Sequence, residues 1–347
     1  MRLYHFNSEH VTRGRIAGVV LHPEPSGGIV AARCLIIVNE TMLDLAVIIV
    51  SWNVRDYLAD CMRSVYTDLD RCHLRGEIWV VDNHSTDGTQ QLLSNLFPSA
   101  HLIVNNKNPG YGAANNQGMR AAASANGDDI RYFLLLNPDT LVRPGALGHL
   151  VQCLEDMPEA GLAGARLVYG DGRFQPSAFH FPGLAQLAFD LFPAPARLYE
   201  SRLNGRYPRR CYKASKDPFS VEHTLGAAML VRKNVAEATG GFDESYYMYC
   251  EEIDWCWRIR RAGWDIYTVP QAEIVHYGGE STKQAPAKSI VDLWGSRAYL
   301  YKQHHGRLKY AIARRMVKRG MRRKAKKAKN HEIQEAYLTA ASIWQQV

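Results

Sequence analysis

The sequence predicts an α/β protein built on a doubly wound, mostly parallel sheet, and three observations carry that expectation. Apolar runs rich in β-branched residues alternate with segments of helical period, as in strands linked by crossover helices. The run LAVIIVS (45–51) is almost unbroken in its apolar character, which suits a central strand covered on both faces. Polar residues then gather where the runs end: SWN after the first, DNHSTDGT after the second, NPD after RYFLLL.

Taken in order, residues 55–69 place Leu58, Cys61, Met62, Val65, Tyr66 and Leu69 on one helical face. EIWVV (77–81) reads as the second strand, TQQLLSNLF (89–97) as a helix and HLIVN (101–105) as the third strand. A helix over 111–125 precedes the strand RYFLLL (131–136). Residues 144–156 read as a helix opened by Pro144, a favoured first-turn residue. GLAGARLVYGDGRF (161–174) is a strand running into a glycine-containing turn. Residues 176–220, rich in Pro, aromatics and Arg, show no period and read as a long insertion. HTLGAAMLVRK (223–233) reads as one apolar strand, and the acids of CEEIDW open a further helix. Residues 1–43 lack a period and contain HPEPSGG, whereas MLDLAVIIVSWN reads as a beginning at Met42, so 1–43 are expected to be an extension.

With 46% hydrophobic and 22% charged residues the composition is that of a globular protein. Seven scattered cysteines without a C-x-x-C pair argue for reduced thiols in the cytosol and against a zinc site or disulfide framework. No run approaches the roughly 18–20 apolar residues of a membrane span, and the first residues do not resemble a signal peptide. Charge is uneven: residues 283–330 hold 16 Lys plus Arg and one acid, so the +8 total is an acidic body with a basic tail. Within it, 307–329 carry 12 basic residues and no acid, with Leu308, Tyr310, Ile312 and Met316 near one face. That stretch reads either as a solvated helix leading into a disordered basic segment or as a helix lying on an anionic membrane surface. Nucleic acid is disfavoured, because the body is acidic and no aromatics interleave the charges beyond residue 310 until Tyr337.

In an open parallel sheet, ligands sit outside the carboxyl ends of the strands, and Asn53, Asp82, Asp87 and Asp139 all fall there. Asp87-Gly88 also reads as a turn and helix cap, and Asp139 alone could cap the helix that follows. Capping leaves the recurrence at successive strand ends unexplained.

In this order, VIIVSWN, VVDNHSTDGT, NPGYGAANNQG, LLLNPDT, GAAM, GGFDESYYMYCEEIDWCWRIRRAGW and IVHYGGEST resemble the motifs of the inverting family 2 glycosyltransferases with the GT-A fold. The resemblance covers residues 45–282 and is nearest to rhamnosyltransferase-like members that build bacterial cell-surface polysaccharides. It implies a catalytic domain over 44–285, with a nucleotide-sugar-binding half (44–142), an acceptor-binding and catalytic half (143–285) and a basic helical tail (286–347). NPD then matches a DxD-type motif whose first Asp is replaced by Asn137, leaving Asp139 to hold Mg2+ or Mn2+, a hard cation suited to oxygen ligands. His276 matches a metal or diphosphate ligand, and Gly278 and Gly279 of YGGEST suit a lid over the phosphates. Asp82 matches the contact to the nucleotide base, with Asn53 beside it and Asn137 near the ribose. Asn115 lies in the small-residue segment expected to approach a phosphate or ribose, and Gly226 lets the donor sugar lie against backbone. Glu252 matches the general base, a position more often Asp in the family. Glu251 and Asp254 flank it, Asp254 positioned with Arg258 one turn on. Repulsion from Glu251, Asp254 and Asp139 is expected to raise the Glu252 pKa.

The implied reaction is hexosyl transfer, rhamnose foremost, from a dTDP- or UDP-sugar to a saccharide or lipid-linked acceptor at the cytoplasmic face of the cell membrane. Taken singly, His276 reads as structural and GAAM as small residues packing in a strand. The alternatives are a sugar-nucleotide pyrophosphorylase-like nucleotidyltransferase or a nucleic-acid-binding protein. The former would want a Gly-rich, Lys- or Arg-bearing loop after the first strand, and SWNVRDY is not one.

Overall fold

The computed structural model describes residues 43–199, 201–279 and 284–346. The extension expected over 1–43 therefore lies, apart from Leu43, outside the described residues. The chain runs β1 (Leu43–Ser51), α1 (Arg55–Arg71), β2 (Gly76–Asp82), α2 (Thr89–Leu96), β3 (His101–Val104), α3 (Tyr111–Asn126), β4 (Ile130–Leu136), β5 (Thr140–Val142), α4 (Ala146–Asp156) and β6 (Ala160–Val168). There follow β7 (Phe174–Gln175), β8 (Ala178–Phe179), α5 (Leu184–Leu191), α6 (Ala196–Tyr199), β9 (Phe219–Ser220), β10 (His223–Thr224), β11 (Ala228–Arg232), α7 (Lys233–Thr239), α8 (Glu251–Arg261) and β12 (Asp265–His276). Three helices close it: α9 (Pro286–His304), α10 (Arg307–Ala325) and α11 (His331–Gln346).

The main sheet has the order β3-β2-β1-β4-β11-β6-β12-β5. Strands β3, β2, β1 and β4 are mutually parallel, β11 enters antiparallel between β4 and β6, and β12 runs parallel to β6. Both faces are covered, which is why β1 and β4 are apolar at successive positions. Leu45, Val47 and Ile49 of β1 pack with Leu58, Met62 and Val65 of α1 on one side. Ala46 and Ile48 pack with Met119, Trp255 and Ile259 of α3 and α8 on the other. The expected mostly parallel, doubly wound α/β sheet is what the structure contains.

Four local expectations change. Pro144 does not open α4: the helix begins at Ala146 behind Gly145 in the left-handed region (φ 86°). Its first amides, Gly145 and Leu147, donate to the buried Asp68 carboxylate of α1, so the cap comes from a residue far off in sequence. The apolar run 223–233 is split, because β10 leaves to pair with β8 in a separate two-stranded sheet. The insertion 176–220 contains α5, whose Leu187 and Leu191 are buried. Finally, the basic tail is neither a lone solvated helix nor a disordered stretch. Helices α9, α10 and α11 close with α5 around Trp294, Tyr301, Val317, Met321 and Trp344, and Trp344 Nε1–H donates to the Trp294 carbonyl (2.7 Å). The buried face of α10 is Ala313, Val317, Gly320 and Met321. Leu308 and Ile312 point outward, 77% and 38% exposed. The six described cysteines are free thiols.

Candidate active site

The turn after β4 is held from three directions. Asn137 N–H donates to the Ala227 carbonyl (2.9 Å) beside β11, Tyr277 N–H to the Asp139 carbonyl (3.0 Å) after β12, and the Thr140 hydroxyl to the Asn137 carbonyl (2.7 Å). The antiparallel β5–β12 register sets Thr140 opposite His276, and so brings His276 Nε2 to 3.5 Å from Asp139 Oδ1. Gln175 of β7 holds the other ring nitrogen, its amide nitrogen 3.1 Å from Nδ1, which orients the imidazole toward Asp139. Asn137 Nδ2 lies 3.4 Å from His276 Nε2, while Asn137 Oδ1 is buried and finds no partner among the described residues.

The acids of CEEIDW reach the same place by a different device. Tyr249 and Cys250, immediately before α8, both sit in the left-handed region (φ 72° and 68°), a conformation that costs a non-glycine residue about 1–3 kcal/mol and collects at functional sites. Glu251 and Glu252 then open the helix against a cavity of about 270 Å³ that Asn137, Asp139, Gly226 and His276 also line. A Cβ on Gly226 would lie 3.4 Å from Glu252 Cβ and Cγ, so the acid packs directly against this stretch of backbone. Tyr111 donates its hydroxyl to the Gly226 carbonyl (2.8 Å) and props the opposite side.

Burial pushes the Glu252 carboxyl up to about 7, where it titrates near neutral pH. The direction is the expected one but the leading cause is not: loss of water raises it, while backbone amides at the start of α8 and then Arg297 pull the other way. Glu251 is likewise raised well above the usual carboxylate range, by burial and then by Glu252, and its Oε2 lacks a partner among the described residues. Burial would raise the Asp254 carboxyl, but the hydrogen bond from His304 and the Arg258 guanidinium outweigh this and hold it below the usual range. It faces away from the cavity, with Arg258 Nε and His304 Nε2 each at 2.7 Å, and so ties α8 to α9.

The cavity thus gathers Asn137, Asp139, Gly226, Glu251, Glu252 and His276, and leaves Asn53, Asp82, Asn115 and Asp254 outside its lining. Asn53 (φ 52°) clasps the loop after β2, its Oδ1 accepting from Thr86 N–H (2.8 Å). Asp82 is fully buried and accepts from Ser85 N–H and Gln90 Nε2. Its neighbour Asn83, the residue just after β2, lines the cavity instead. Asn115 is buried within α3, its Nδ2 donating to the Tyr111 carbonyl (3.0 Å). Asp87 stands one residue before Gly88, the N-cap of α2, and accepts from Thr89 N–H and hydroxyl. The glycines of NPGYGAANNQG lie where the chain packs closely on itself. At Gly110 (φ 99°) a Cβ would fall 2.1 Å from the Tyr247 carbonyl oxygen, so the segment leading into α8 docks there. Trp52, Asn108, Tyr111 and Tyr249 also line the cavity and were not singled out. All four had a signal, each standing inside a quoted motif: Trp52 in VIIVSWN, Asn108 and Tyr111 in NPGYGAANNQG, and Tyr249 in GGFDESYYMYCEEIDWCWRIRRAGW. Of the expected lid, Gly279 lines the cavity, and 280–283 lie outside the described residues.

A second cavity of about 270 Å³ lies on the other side of Glu252, which with Leu225 lines both. Its walls come from the insertion and α9, with His180, Arg206, Arg297 and Tyr301 among them.

Comparison with known proteins matches residues 46–224 to the family model "Glycosyl transferase family 2". The chain is 31% identical over 218 residues to the N-acetylglucosaminyl-diphospho-decaprenol L-rhamnosyltransferase of Mycobacterium tuberculosis, covering 61% of this chain and 70% of the relative. It is 23% identical over 203 residues to a dTDP-rhamnosyl transferase of Shigella flexneri, covering 58% and 60%. Among solved structures, GalNAc-T7 with UDP, GalNAc and Mn2+ superposes with a TM-score of 0.57 at 14% identity, over 89% of this chain and 57% of that one, a likeness of fold. With the family model covering more than half of the sequence and the strand-end cavity built from the matching motifs, the chain belongs to glycosyl transferase family 2.

Proposed function

We propose that this glycosyltransferase moves a sugar, rhamnose foremost, with inversion from a dTDP- or UDP-sugar to a saccharide carried on a lipid, with Glu252 as the general base. The observation that carries this reading is the place of Glu252 between two cavities. One holds Asp139 and His276 and takes the donor; the other is walled by the insertion and α9 and takes the acceptor. A single carboxylate so placed suffices for inversion. It takes the proton from the acceptor hydroxyl as that oxygen attacks the anomeric carbon, and the nucleoside diphosphate leaves from the opposite face. A base held near pH 7 can accept that proton without being too weak to do so. The names of the two relatives support rhamnose as the sugar, and that of the mycobacterial relative supports a lipid diphosphate-linked acceptor.

The described residues contain no cluster of three His, Cys, Asp or Glu side chains suited to a metal. Asp139 and His276, 3.5 Å apart, with the unpartnered Oδ1 of Asn137 beside them, fit a site completed by substrate, as hard cations commonly leave positions for phosphate and water. Mg2+ or Mn2+ bound there would supply positive charge to the departing diphosphate. Asn53 and Asp82 support the donor site by shaping the loop after β2, and Asn115 does so from within α3. Among the described residues no helix is long and apolar enough to cross a membrane. We place the enzyme at the cytoplasmic membrane surface through the outward ridge of α10, where Leu308 and Ile312 precede Arg315, Arg319 and Arg322.

Glu252→Gln tests the assignment. Transfer from dTDP-rhamnose should fall at least about 100-fold while donor binding by calorimetry stays within a few-fold. Activity within tenfold of the parent would remove Glu252 from the role.

A further inference from the structure

Next to the second cavity, on the far side of α5, lies a groove of about 670 Å³ bounded by α5, α9, α11 and the turn joining α10 to α11. Its apolar walls come from Phe189, Phe192, Tyr199, Ile290, Ile333 and Tyr337, all half-buried and so presenting part of their surface to the groove. The remaining wall is cationic: Arg323, Lys324, Lys327 and Lys329. None of these four forms an ion pair with a described residue, in contrast to Lys288 and Arg297, which pair with Asp292 and Asp190. The acid in the groove lining, Asp190, is the one engaged by Arg297 (2.7 Å).

Charge and apolarity are segregated here. All four cations come from the end of α10 and the turn after it; the aromatic and aliphatic side chains come from the other elements. A ligand that satisfies both must carry an anionic head and an apolar chain in one molecule. A nucleic acid strand would instead want cations along its whole track. Asp190 lines the groove and the second cavity alike, so the two sites adjoin across α5.

We propose that this groove holds the lipid phosphate of the acceptor, its anionic group against the wall at 323–329 and the first part of its chain against the aromatic walls, while the saccharide enters the cavity at Glu252. The assignment rests on the reading of a lipid-linked acceptor. It gives the basic segment a task beyond general attraction to a surface.

Binding of farnesyl diphosphate, inorganic pyrophosphate and farnesol to the full chain, measured by calorimetry, tests it without requiring turnover. Farnesyl diphosphate should bind at least tenfold more tightly than either fragment, and K324E/K327E should weaken it at least tenfold while thermal protection by dTDP is unchanged. A photoreactive prenyl diphosphate should label peptides within 189–199 or 323–337. Equal affinity for pyrophosphate, indifference to the double charge reversal, or labelling elsewhere would overturn the proposal. So would displacement of the probe by phosphatidylglycerol vesicles or an oligonucleotide as readily as by unlabelled farnesyl diphosphate. Probe binding in a chain that transfers no sugar would refute the proposed reaction alone, and normal transfer to a soluble acceptor without probe binding would refute the groove alone.

Discussion

The roles proposed for Glu252 and Asp139 rest on single atoms, and their consequences are measurable one residue at a time. As a base Glu252 must be ionised, so transfer at saturating donor should fall as pH drops through about 7, and a rate profile flat from pH 5.5 to 8 would contradict its role. Stability runs the other way. A carboxyl that titrates near 7 in the fold and at its ordinary 4.5 in the unfolded chain makes the native state bind the extra proton. Stability therefore declines as pH rises between those values, each unit being worth about 1.4 kcal/mol. Glu252→Gln removes the effect and also relieves the raised Glu251. Its melting temperature should exceed the parent's by more at pH 8 than at pH 5. Asp139→Asn should weaken donor binding at least tenfold in Mn2+ and erase most of its ion dependence, read by calorimetry with and without chelator. At this scale the sequence was legible where a side chain sits in a motif and illegible where facing decides. Asn83, not Asp82, lines the cavity, and only the end geometry of β2 says which of two adjacent polar residues turns inward.

Elements are positioned by contacts between segments remote in sequence. The start of α8 is set by Gly110, whose backbone passes so close to Tyr247 that no Cβ fits. Gly110→Ala meets both that contact and a φ of 99°, so it should destabilise by at least the roughly 1–3 kcal/mol of a strained backbone residue, seen in the urea midpoint, and should lower transfer as Glu251 and Glu252 shift. Helix α4 is capped by Asp68 from α1. Asp68→Ala should cost about 1–2 kcal/mol with transfer largely retained. Strand and helix identities were readable because burial on two faces leaves a continuous apolar run and burial on one leaves a helical stripe. The first turn of α4 was misread at Pro144, since a local residue preference competed with a distant carboxylate and lost.

For the whole molecule, the uneven charge now belongs to a folded unit. Removing 307–330 would strip Val317 and Met321 from the cluster around Trp344 and should unfold α9 and α11 with it. Surface charge reversal is the cleaner probe of membrane attachment: Arg315→Glu with Arg319→Glu, both exposed, should abolish salt-sensitive sedimentation with phosphatidylglycerol vesicles and leave the melting temperature within a few degrees. Equal sedimentation of parent and variant would remove the α10 ridge from that role.

The sequence by itself determined the sheet class and the family, and it singled out six of the residues that line the cavity. Those properties are written in local patterns: apolar period, polar strand ends and the order of short motifs. The tertiary structure alone decided that His276 stands beside Asp139, that Asp254 turns away to clasp α9, that Glu252 separates two cavities and that the basic segment folds onto α5. Each depends on register, facing or desolvation between parts of the chain far apart in sequence, and no local pattern encodes a distance across the fold.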